Sequence, residues 1–298
     1  MKQKSYILFL IFLFPLLSGC SLILSSIISE TSKPTSTSPN TQTPAEILEN
    51  AKIAMNQLDG YRWEIKTNQQ LQLLKEQKKS TSIAIVNTEI TNLDKFHMTI
   101  QGTVQAENGK TQSERLELYL IDTELYQKRN GSWSKKNMTA EQVRKSFRLD
   151  STIQDPNYSF HILAERLNQH VQMKEETDRY VFTMNVNDPT LAKKYGESHF
   201  DSLLARPDVV KSQATFQSYQ IELHLHKQSH QILQVSQNIS ISVPLMNDDI
   251  LDAKANIQGF FQGEVKSISL PPEVYSGNED VQDNPPFTTQ PYDPGDKI

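Results

Sequence analysis

The sequence predicts an α+β fold in which a mainly antiparallel sheet packs over a few helices. Several segments alternate apolar and polar side chains, which is typical of strands with one buried face and one wet face. Turn sequences such as Asn-Gly separate these segments, as hairpin loops do. Helix-start signals are fewer and fall near the N-terminus and in the middle of the chain.

Apolar side chains at every second position mark the predicted strands. They are Tyr61, Trp63 and Ile65; Phe96, Met98 and Ile100; Leu116, Leu118 and Leu120; Tyr180, Phe182, Met184 and Val186; Ile221, Leu223 and Leu225; and Leu233, Val235, Ile239, Ile241 and Val243. Hairpin turns are expected at Asn108-Gly109, Asn130-Gly131 and Gln228-Ser229.

The first helix has agreeing signals at both ends. Thr43 is a candidate N-cap, Pro44 suits the first helical position and Glu46 completes a capping box. Apolar residues then recur at helical spacing up to Leu58, and Gly60 is expected to end the helix. Further helices are predicted after Thr139, after Asp155-Pro156 and after Asp188-Pro189.

The N-terminus has the organisation of an export signal. Lys2 and Lys4 precede an uncharged apolar stretch that ends in Leu17-Ser18-Gly19-Cys20, and Cys20 is the only cysteine among 298 residues. This run resembles a bacterial lipobox. The resemblance implies that residues 1–19 are a lipoprotein signal peptide that is removed, and that an acylated Cys20 tethers the protein to the outer face of the cell membrane.

Two alternatives to lipidation stay open. A lone cysteine is often a small buried apolar residue, and the uncharged stretch 6–28 is long enough for an uncleaved signal anchor. The signal anchor also places the rest of the chain outside the cell, because the two lysines stay inside.

Four segments are expected in the chain. Residues 1–19 form the signal peptide, and residues 20–43 form a disordered Ser/Thr/Pro-rich linker that begins with the lipidated cysteine. Residues 44–276 form a single α+β domain, and residues 277–298 form a disordered acidic tail. A partner-binding peptide is the alternative interpretation of the tail.

Charge and cysteine content exclude several classes of function. The chain has 30 basic and 35 acidic residues and a formal net charge of −5, and removal of Lys2 and Lys4 makes it more acidic. This balance argues against nucleic-acid binding and against a polybasic membrane-binding surface. One cysteine rules out an intrachain disulfide, a cysteine zinc cluster and a CxxC redox pair. No cofactor is expected.

One part of the sheet resembles a known group of proteins. The lipobox, the linker and the short helix are followed by Glu-Leu-Tyr-Leu-Ile-Asp-Thr-Glu-Leu-Tyr at 117–126 and Trp-Ser-Lys-Lys at 133–136. Over residues 44–272 this order resembles Gram-positive lipoproteins that are distantly similar to the outer-membrane lipoprotein carrier proteins and the mycobacterial lipid-binding lipoproteins. The resemblance implies that the fold is a curved, mainly antiparallel sheet, a half-barrel, packed over a few helices, with an apolar cavity for acyl chains.

Inward apolar side chains of the sheet are the candidate ligand-binding residues. They are Trp63, Phe96, Met98, Leu118, Phe182, Leu223 and Val235. Burial of each methylene of a hydrocarbon against such a face contributes about 0.8 kcal/mol. The alternative is that the same side chains fill an ordinary packed core, because any half-buried sheet shows this alternation.

Catalytic and metal sites are not predicted. His224, His226 and His230 have a spacing that suits a metal, but His224 and His226 alternate with inward leucines and are expected to face water. Asp248, Asp249 and Asp252 lack the spacing of a calcium loop and are interpreted as a solvated loop. Hydrolase, zinc-protease and nucleotide-binding motifs are missing from the sequence.

Two further groups have competing interpretations. Tyr126 and Trp133 flank a predicted turn and form either a ligand-facing aromatic pair or hairpin packing. Lys75, Lys78 and Lys79 either contact anionic headgroups or lie solvated at a strand edge.

The function expected from the sequence is that of a non-enzymatic, membrane-anchored extracytoplasmic lipoprotein that binds lipid or another apolar ligand in a sheet-lined cavity. The alternative is an envelope interaction or regulatory protein that docks another protein through its sheet or tail. An open apolar cavity favours the first, and a filled core with an exposed apolar patch favours the second.

Overall fold

A computed structural model of the chain describes residues 42–91, 95–105, 109–129, 131–139, 141–142 and 155–276. The predicted signal peptide 1–19, Cys20, nearly all of the linker 20–43 and the acidic tail 277–298 lie outside the described residues. Within the described part of the chain, no helix has the length and apolar character needed to cross a membrane.

Eleven strands and a small number of helices make up the described chain. The strands are β1 (Gly60–Leu73), β2 (Lys79–Thr91), β3 (Lys95–Gln105), β4 (Thr111–Ile121), β5 (Glu124–Arg129), β6 (Ser132–Asn137), β7 (Val171–Glu175), β8 (Arg179–Val186), β9 (Thr215–His226), β10 (Ile232–Pro244) and β11 (Ile250–Glu264). The helices are α1 (Pro44–Asn56), α2 (Pro156–Arg166), α3 (Pro189–Gly196), α4 (Asp201–Leu204) and α5 (Glu273–Ser276). Short 3-10 turns occur at Glu197–Phe200 and Lys211–Gln213.

All the strands belong to one sheet in the order β6-β5-β4-β3-β2-β1-β11-β10-β9-β8-β7. Every recorded pairing is antiparallel, so consecutive strands along each half of the chain form a meander. The first and last strands, β1 and β11, pair with each other and join the two halves. The sheet is open, with β6 and β7 at its ends, and the predicted α+β class with an antiparallel sheet is confirmed.

The predicted capping box begins helix α1. The Thr43 hydroxyl accepts from the backbone N–H of Glu46, and the Glu46 carboxylate accepts from the backbone N–H of Thr43 at 2.7 Å. The helix ends at Asn56, before the predicted Gly60, which is instead the first residue of β1. A Cβ atom at Gly60 would lie 2.3 Å from the Ile90 carbonyl oxygen, so the close approach of β2 requires glycine.

Aspartate caps begin two later helices, as predicted, whereas the helix predicted after Thr139 lies almost entirely outside the described residues. Asp155 accepts from the backbone N–H of Asn157 at 2.9 Å, and Asp188 accepts from that of Leu191 at 2.9 Å. Helix α2 packs against α1, whereas α3 lies close against β9. At the end of α3, a Cβ atom on Gly196 would lie 2.9 Å from the Ile239 Cγ2 methyl group.

Gly196→Ala is expected to destabilise the protein by about 1–3 kcal/mol, because the added methyl group overpacks the contact between α3 and the sheet. Alanine's higher helix propensity offsets part of this loss. Urea denaturation of Gly196→Ala, of Ile239→Ala and of the double variant measures the effect. If the contact is the cause, Gly196→Ala costs much less in the Ile239→Ala background; equal costs in both backgrounds would contradict the explanation.

One face of the sheet, called the inner face, carries the buried alternating residues and packs with the helices into a single core. Strand β9 shows the pattern clearly, since Ile221, Leu223 and Leu225 are all buried there. Strand β10 departs from the prediction at its start. A register irregularity follows Ile232, so Ile232 is buried in the core and the predicted Leu233 is only half-buried.

Candidate ligand-binding face

All seven side chains predicted for ligand binding lie on the inner face and are buried in one continuous core. They are Trp63, Phe96, Met98, Leu118, Phe182, Leu223 and Val235. Cross-strand pairing places Trp63, Met98 and Leu118 in one row, with Thr88 between Trp63 and Met98. The structure thus brings the predicted residues to a common surface, and their contact with a ligand stays a prediction.

A second row crosses the other half of the sheet. Phe182, Leu223 and Val235 are direct neighbours on β8, β9 and β10. In the same row, Val235 pairs with Gly259 of β11, and Gly259 pairs with Ile65 of β1. Because glycine has no side chain, the row lacks a side chain at the position next to Val235.

Polar side chains interrupt this apolar face without any hydrogen-bond partner. The side chains with unpartnered atoms are Trp63, Thr67, Thr88, Tyr219 and Gln237. Each of these side chains is buried, and for Gln237 both the amide nitrogen and the amide oxygen lack a partner. A polar group buried without a partner costs about 1–3 kcal/mol, and native proteins keep such groups few. On the helix side, Ser159 of α2 is in the same situation.

Gln237 belongs to a row of paired residues whose side chains become smaller along the row. The row runs Ile221, Gln237, Ile257, Thr67, Ala84 and Gly102, on β9, β10, β11, β1, β2 and β3. Beyond Ile257 the side chains are small, so the face is set back there. The row therefore combines two unpartnered polar side chains, Gln237 and Thr67, with a stretch of small side chains.

Tyr219 lies beside this row and near two other tyrosines. Its ring is tilted against that of Tyr195 with 5.6 Å between centroids, and the Tyr158 hydroxyl donates to the Tyr195 carbonyl at 3.2 Å. Complete burial raises the pKa of Tyr219 well above its ordinary value, and Tyr158 and Tyr195 add to the rise. The Tyr219 hydroxyl therefore stays protonated and is available as a hydrogen-bond donor.

The candidate metal-binding residues His224 and His226 lie on the opposite, outer face, as their alternation with Leu223 and Leu225 predicts, but the His224 side chain is only 15% exposed and so does not face water freely. His224 Nε2 lies 2.6 Å from Glu222 Oε1, and His226 Nδ1 lies 3.1 Å from the Ser229 hydroxyl. Among the residues that the structure describes, no group of three or more His, Cys, Asp or Glu side chains is arranged to hold a metal ion.

Changing both His224 and His226 to glutamine is expected to leave the bound metal content unchanged and to change the free energy of unfolding by no more than about 1 kcal/mol, because glutamine keeps a hydrogen-bonding side chain next to Glu222. Elemental analysis and thermal unfolding of the double variant are the measurements. Stoichiometric zinc in the wild type that is lost in the double variant would overturn this expectation.

The candidate calcium ligands have structural roles at one end of the sheet. Asp249 is buried, and its Oδ1 atom accepts from the backbone N–H groups of Lys75 at 2.8 Å and Ile250 at 2.7 Å. Burial alone would raise the pKa of Asp249, but these N–H donors lower it below its ordinary value. Asp252 accepts from the Ser242 hydroxyl at 2.7 Å instead of joining Asp249.

Two further predictions are settled by position. Lys75 and Lys78 lie in the turn between β1 and β2, and Lys79 begins β2. Because these strands are central in the sheet, the interpretation as a strand edge is wrong.

Tyr126 and Trp133 lie on the outer face of the β5–β6 hairpin, where Trp133 packs against Tyr119 with 6.0 Å between ring centroids. Hairpin packing is therefore the better interpretation of the aromatic pair.

Sequence reasoning missed the polar residues of the inner face. Gln237 occupies an inward position between Val235 and Ile239, and Thr88 occupies one between Val86 and Ile90. The signal that would have found them is a polar residue in phase with a buried apolar series.

The solved structures that resemble the chain do so at low similarity. A protein of Nitrosomonas europaea described as AttH is 8% identical, with a TM-score of 0.21, and the match covers 73% of this chain and 54% of that protein. The chain thus spans about half the length of that protein. A domain of Vibrio parahaemolyticus described as an outer membrane lipoprotein-sorting protein is 10% identical, with a TM-score of 0.20 and coverages of 78% and 96%. A beta-barrel-like DUF1849 protein of Brucella abortus is 10% identical, with a TM-score of 0.18 and coverages of 68% and 98%.

Among curated proteins, none matches the chain. The model of one family, DUF6612, a family of unknown function, matches residues 43–279. This range contains every described strand and helix and most of the sequence. The chain belongs to the DUF6612 family.

Proposed function

We propose that the protein is an extracytoplasmic lipoprotein, anchored in the cell membrane through Cys20, that binds lipid or another apolar small molecule between the inner face of its sheet and its helices. It acts by binding and not by catalysis. The observation that carries the proposal is the set of buried polar atoms without partners on an otherwise apolar face.

The argument from these atoms is energetic. A core that only stabilises a fold gains from apolar side chains at every inward position, and an unpartnered polar group there costs about 1–3 kcal/mol. Trp63, Thr67, Thr88, Tyr219 and Gln237 share one face, so their summed cost is large against the usual 5–15 kcal/mol of net stability. A bound molecule with polar groups on an apolar body removes that cost.

The composition of the inner face favours a ligand that is mostly apolar. The two rows that contain Trp63 and Val235 are apolar over most of their length, and in the second row Gly259 puts a position without a side chain between Val235 and Ile65. Ligand sites of this kind are mostly apolar, with a few polar groups that fix orientation.

The location and the absence of catalysis rest on the sequence. Leu17-Ser18-Gly19-Cys20 follows an apolar stretch at the N-terminus, which supports export and lipidation. None of the serine-hydrolase, zinc-protease or nucleotide-binding motifs occurs in the sequence, which supports a binding role.

Native mass spectrometry of the full-length protein, released gently from membranes, tests the ligand. We expect a stoichiometric noncovalent adduct of lipid mass, in addition to the covalent anchor, that disappears on denaturation. Absence of any such adduct, together with no uptake of added lipid, would overturn the proposed binding function.

A second function, docking of another envelope protein, is supported by one exposed apolar cluster. Leu74, Met246 and Ile250 are exposed in or beside adjoining turns, Met246 by 71%, and the Leu74 backbone N–H donates to the Ile250 carbonyl at 2.9 Å. The same lipid experiment separates the two functions, because docking through this cluster requires no interior ligand.

A further inference from the structure

Gln237 is the most informative of the unpartnered residues. Its side chain is 0% exposed, and neither Nε2 nor Oε1 has a hydrogen-bond partner. An amide offers two donors and an acceptor from one side chain. It can therefore bind a molecule that carries both a carbonyl group and a hydroxyl group.

Two side chains with hydroxyl groups share the inner face with Gln237, one on either side of it. Thr67 stands in its row two strands away, which separates the two backbones by about 10 Å. Tyr219 stands one inward position along β9 from Ile221, the direct neighbour of Gln237. The Thr67 and Tyr219 hydroxyls also lack partners. This spacing suits one polar group of a ligand lying between them.

Charge limits what that polar group can be. Apart from the tyrosines and Trp63, the buried polar or charged side chains in the described part of the chain are Thr67, Thr88, Thr91, Ser159, Gln237 and Asp249. Asp249 is the one charged member, and it lies in the turn after β10, bonded to backbone N–H groups. A carboxylate or phosphate buried beside Gln237 would have no cation among these side chains to compensate its lost hydration. The half-buried Arg166 contacts Tyr195, but it already donates to the Tyr195 hydroxyl at 2.8 Å and lies 3.5 Å from a Glu165 carboxylate oxygen.

We infer that Gln237 is the hydrogen-bonding anchor for an uncharged acyl ester with a free hydroxyl group, so that the ligand is a neutral acylglycerol and not a free fatty acid. The inference rests on the proposed function. The Gln237 Nε2 group donates to the ester carbonyl, and Oε1 accepts from the glycerol hydroxyl. The acyl chain lies along the apolar rows of the inner face.

Two lipids with the same acyl chain test this assignment. Full-length wild-type protein, Gln237→Leu and the matched control Gln258→Leu are incubated with equal concentrations of 1-oleoylglycerol or oleate at pH 8, where oleate is ionised. Gln258 lies on β11 on the outer face, so its replacement changes the same atoms away from the ligand. Retained lipid is measured by native mass spectrometry.

We expect the wild type and Gln258→Leu to retain 1-oleoylglycerol at least tenfold more strongly than oleate, and Gln237→Leu to lose at least tenfold in affinity for 1-oleoylglycerol. Without lipid, Gln237→Leu is expected to melt at or above the wild-type temperature, because leucine removes an unpartnered buried amide. This result shows that lost binding is not lost folding.

The contrary results are distinguishable. If Gln237→Leu retains 1-oleoylglycerol like the wild type, Gln237 is not the anchor, while the proposed function stands. If the wild type prefers oleate, the neutral ligand class is wrong. If the wild type retains neither lipid, the proposed binding function fails as well.

Discussion

Replacing Cys20 by alanine is expected to abolish lipid labelling and to leave the protein as an unprocessed precursor. The thiol of Cys20 is the only one in the chain, and no other side chain can form the thioether to the diacylglyceryl group. Because cleavage of a lipoprotein precursor depends on that modification, the signal peptide should be retained. Labelling of cells with a radioactive or clickable fatty acid, followed by electrophoresis, measures both effects.

Ser21→Ala is the matched control, because it changes a neighbouring small residue and leaves the thiol in place. It should be labelled and processed like the wild type. If Cys20→Ala is also labelled and processed normally, the lipobox interpretation fails. A wild type that is neither labelled nor cleaved would instead favour the uncleaved signal anchor, whose apolar stretch suffices to span a bilayer.

Local sequence patterns correctly predicted the strands and helices in which the spacing of apolar residues and the other local signals indicate the same structure. Strand β9 is an example: Ile221, Leu223 and Leu225 alternate with polar residues, and all three are buried. Helix α1 is another, because Thr43 and Glu46 form the expected capping box. In both cases each local signal points to the same structure, which is the condition for reliable inference from sequence.

Elements with polar inward residues escaped prediction. Strand β2 places Thr88 between Val86 and Ile90, and the second half of β1 places Thr67 on the inner face, so the apolar series is interrupted in both. Gln237 was missed for the same reason, although the rest of its strand was predicted. A hydrophobic pattern does not report a buried polar residue, and buried polar residues are the groups that a binding site needs.

The pairing of β1 with β11 also lay beyond local reasoning. These strands are far apart in sequence, and nothing in their alternation specifies each other as partners. The pairing matters for the site, because it places Thr67 of β1 in the same row as Gln237 of β10, with Ile257 between them. The row that carries the inferred ligand anchor exists only once the two halves of the sheet have joined.

Val235→Trp is expected to abolish lipid binding with little loss of stability. Val235 is buried on the inner face, and its neighbour on β11 is Gly259, whose lack of a side chain is expected to leave room for the added indole ring. If that room is the place of an acyl chain, the ring occupies it and excludes the ligand. Binding of a fluorescent fatty acyl ester and the melting temperature are the two measurements.

Val243→Trp is the control on the same strand and the same face. Val243 is equally buried, but its neighbour on β11 is Leu251, so the ring has no such room. Overpacking at this position should destabilise by about 1–3 kcal/mol. If both variants lose stability to the same extent and the wild type binds no lipid, Val235 belongs to an ordinary packed core, and the lipid-binding hypothesis fails.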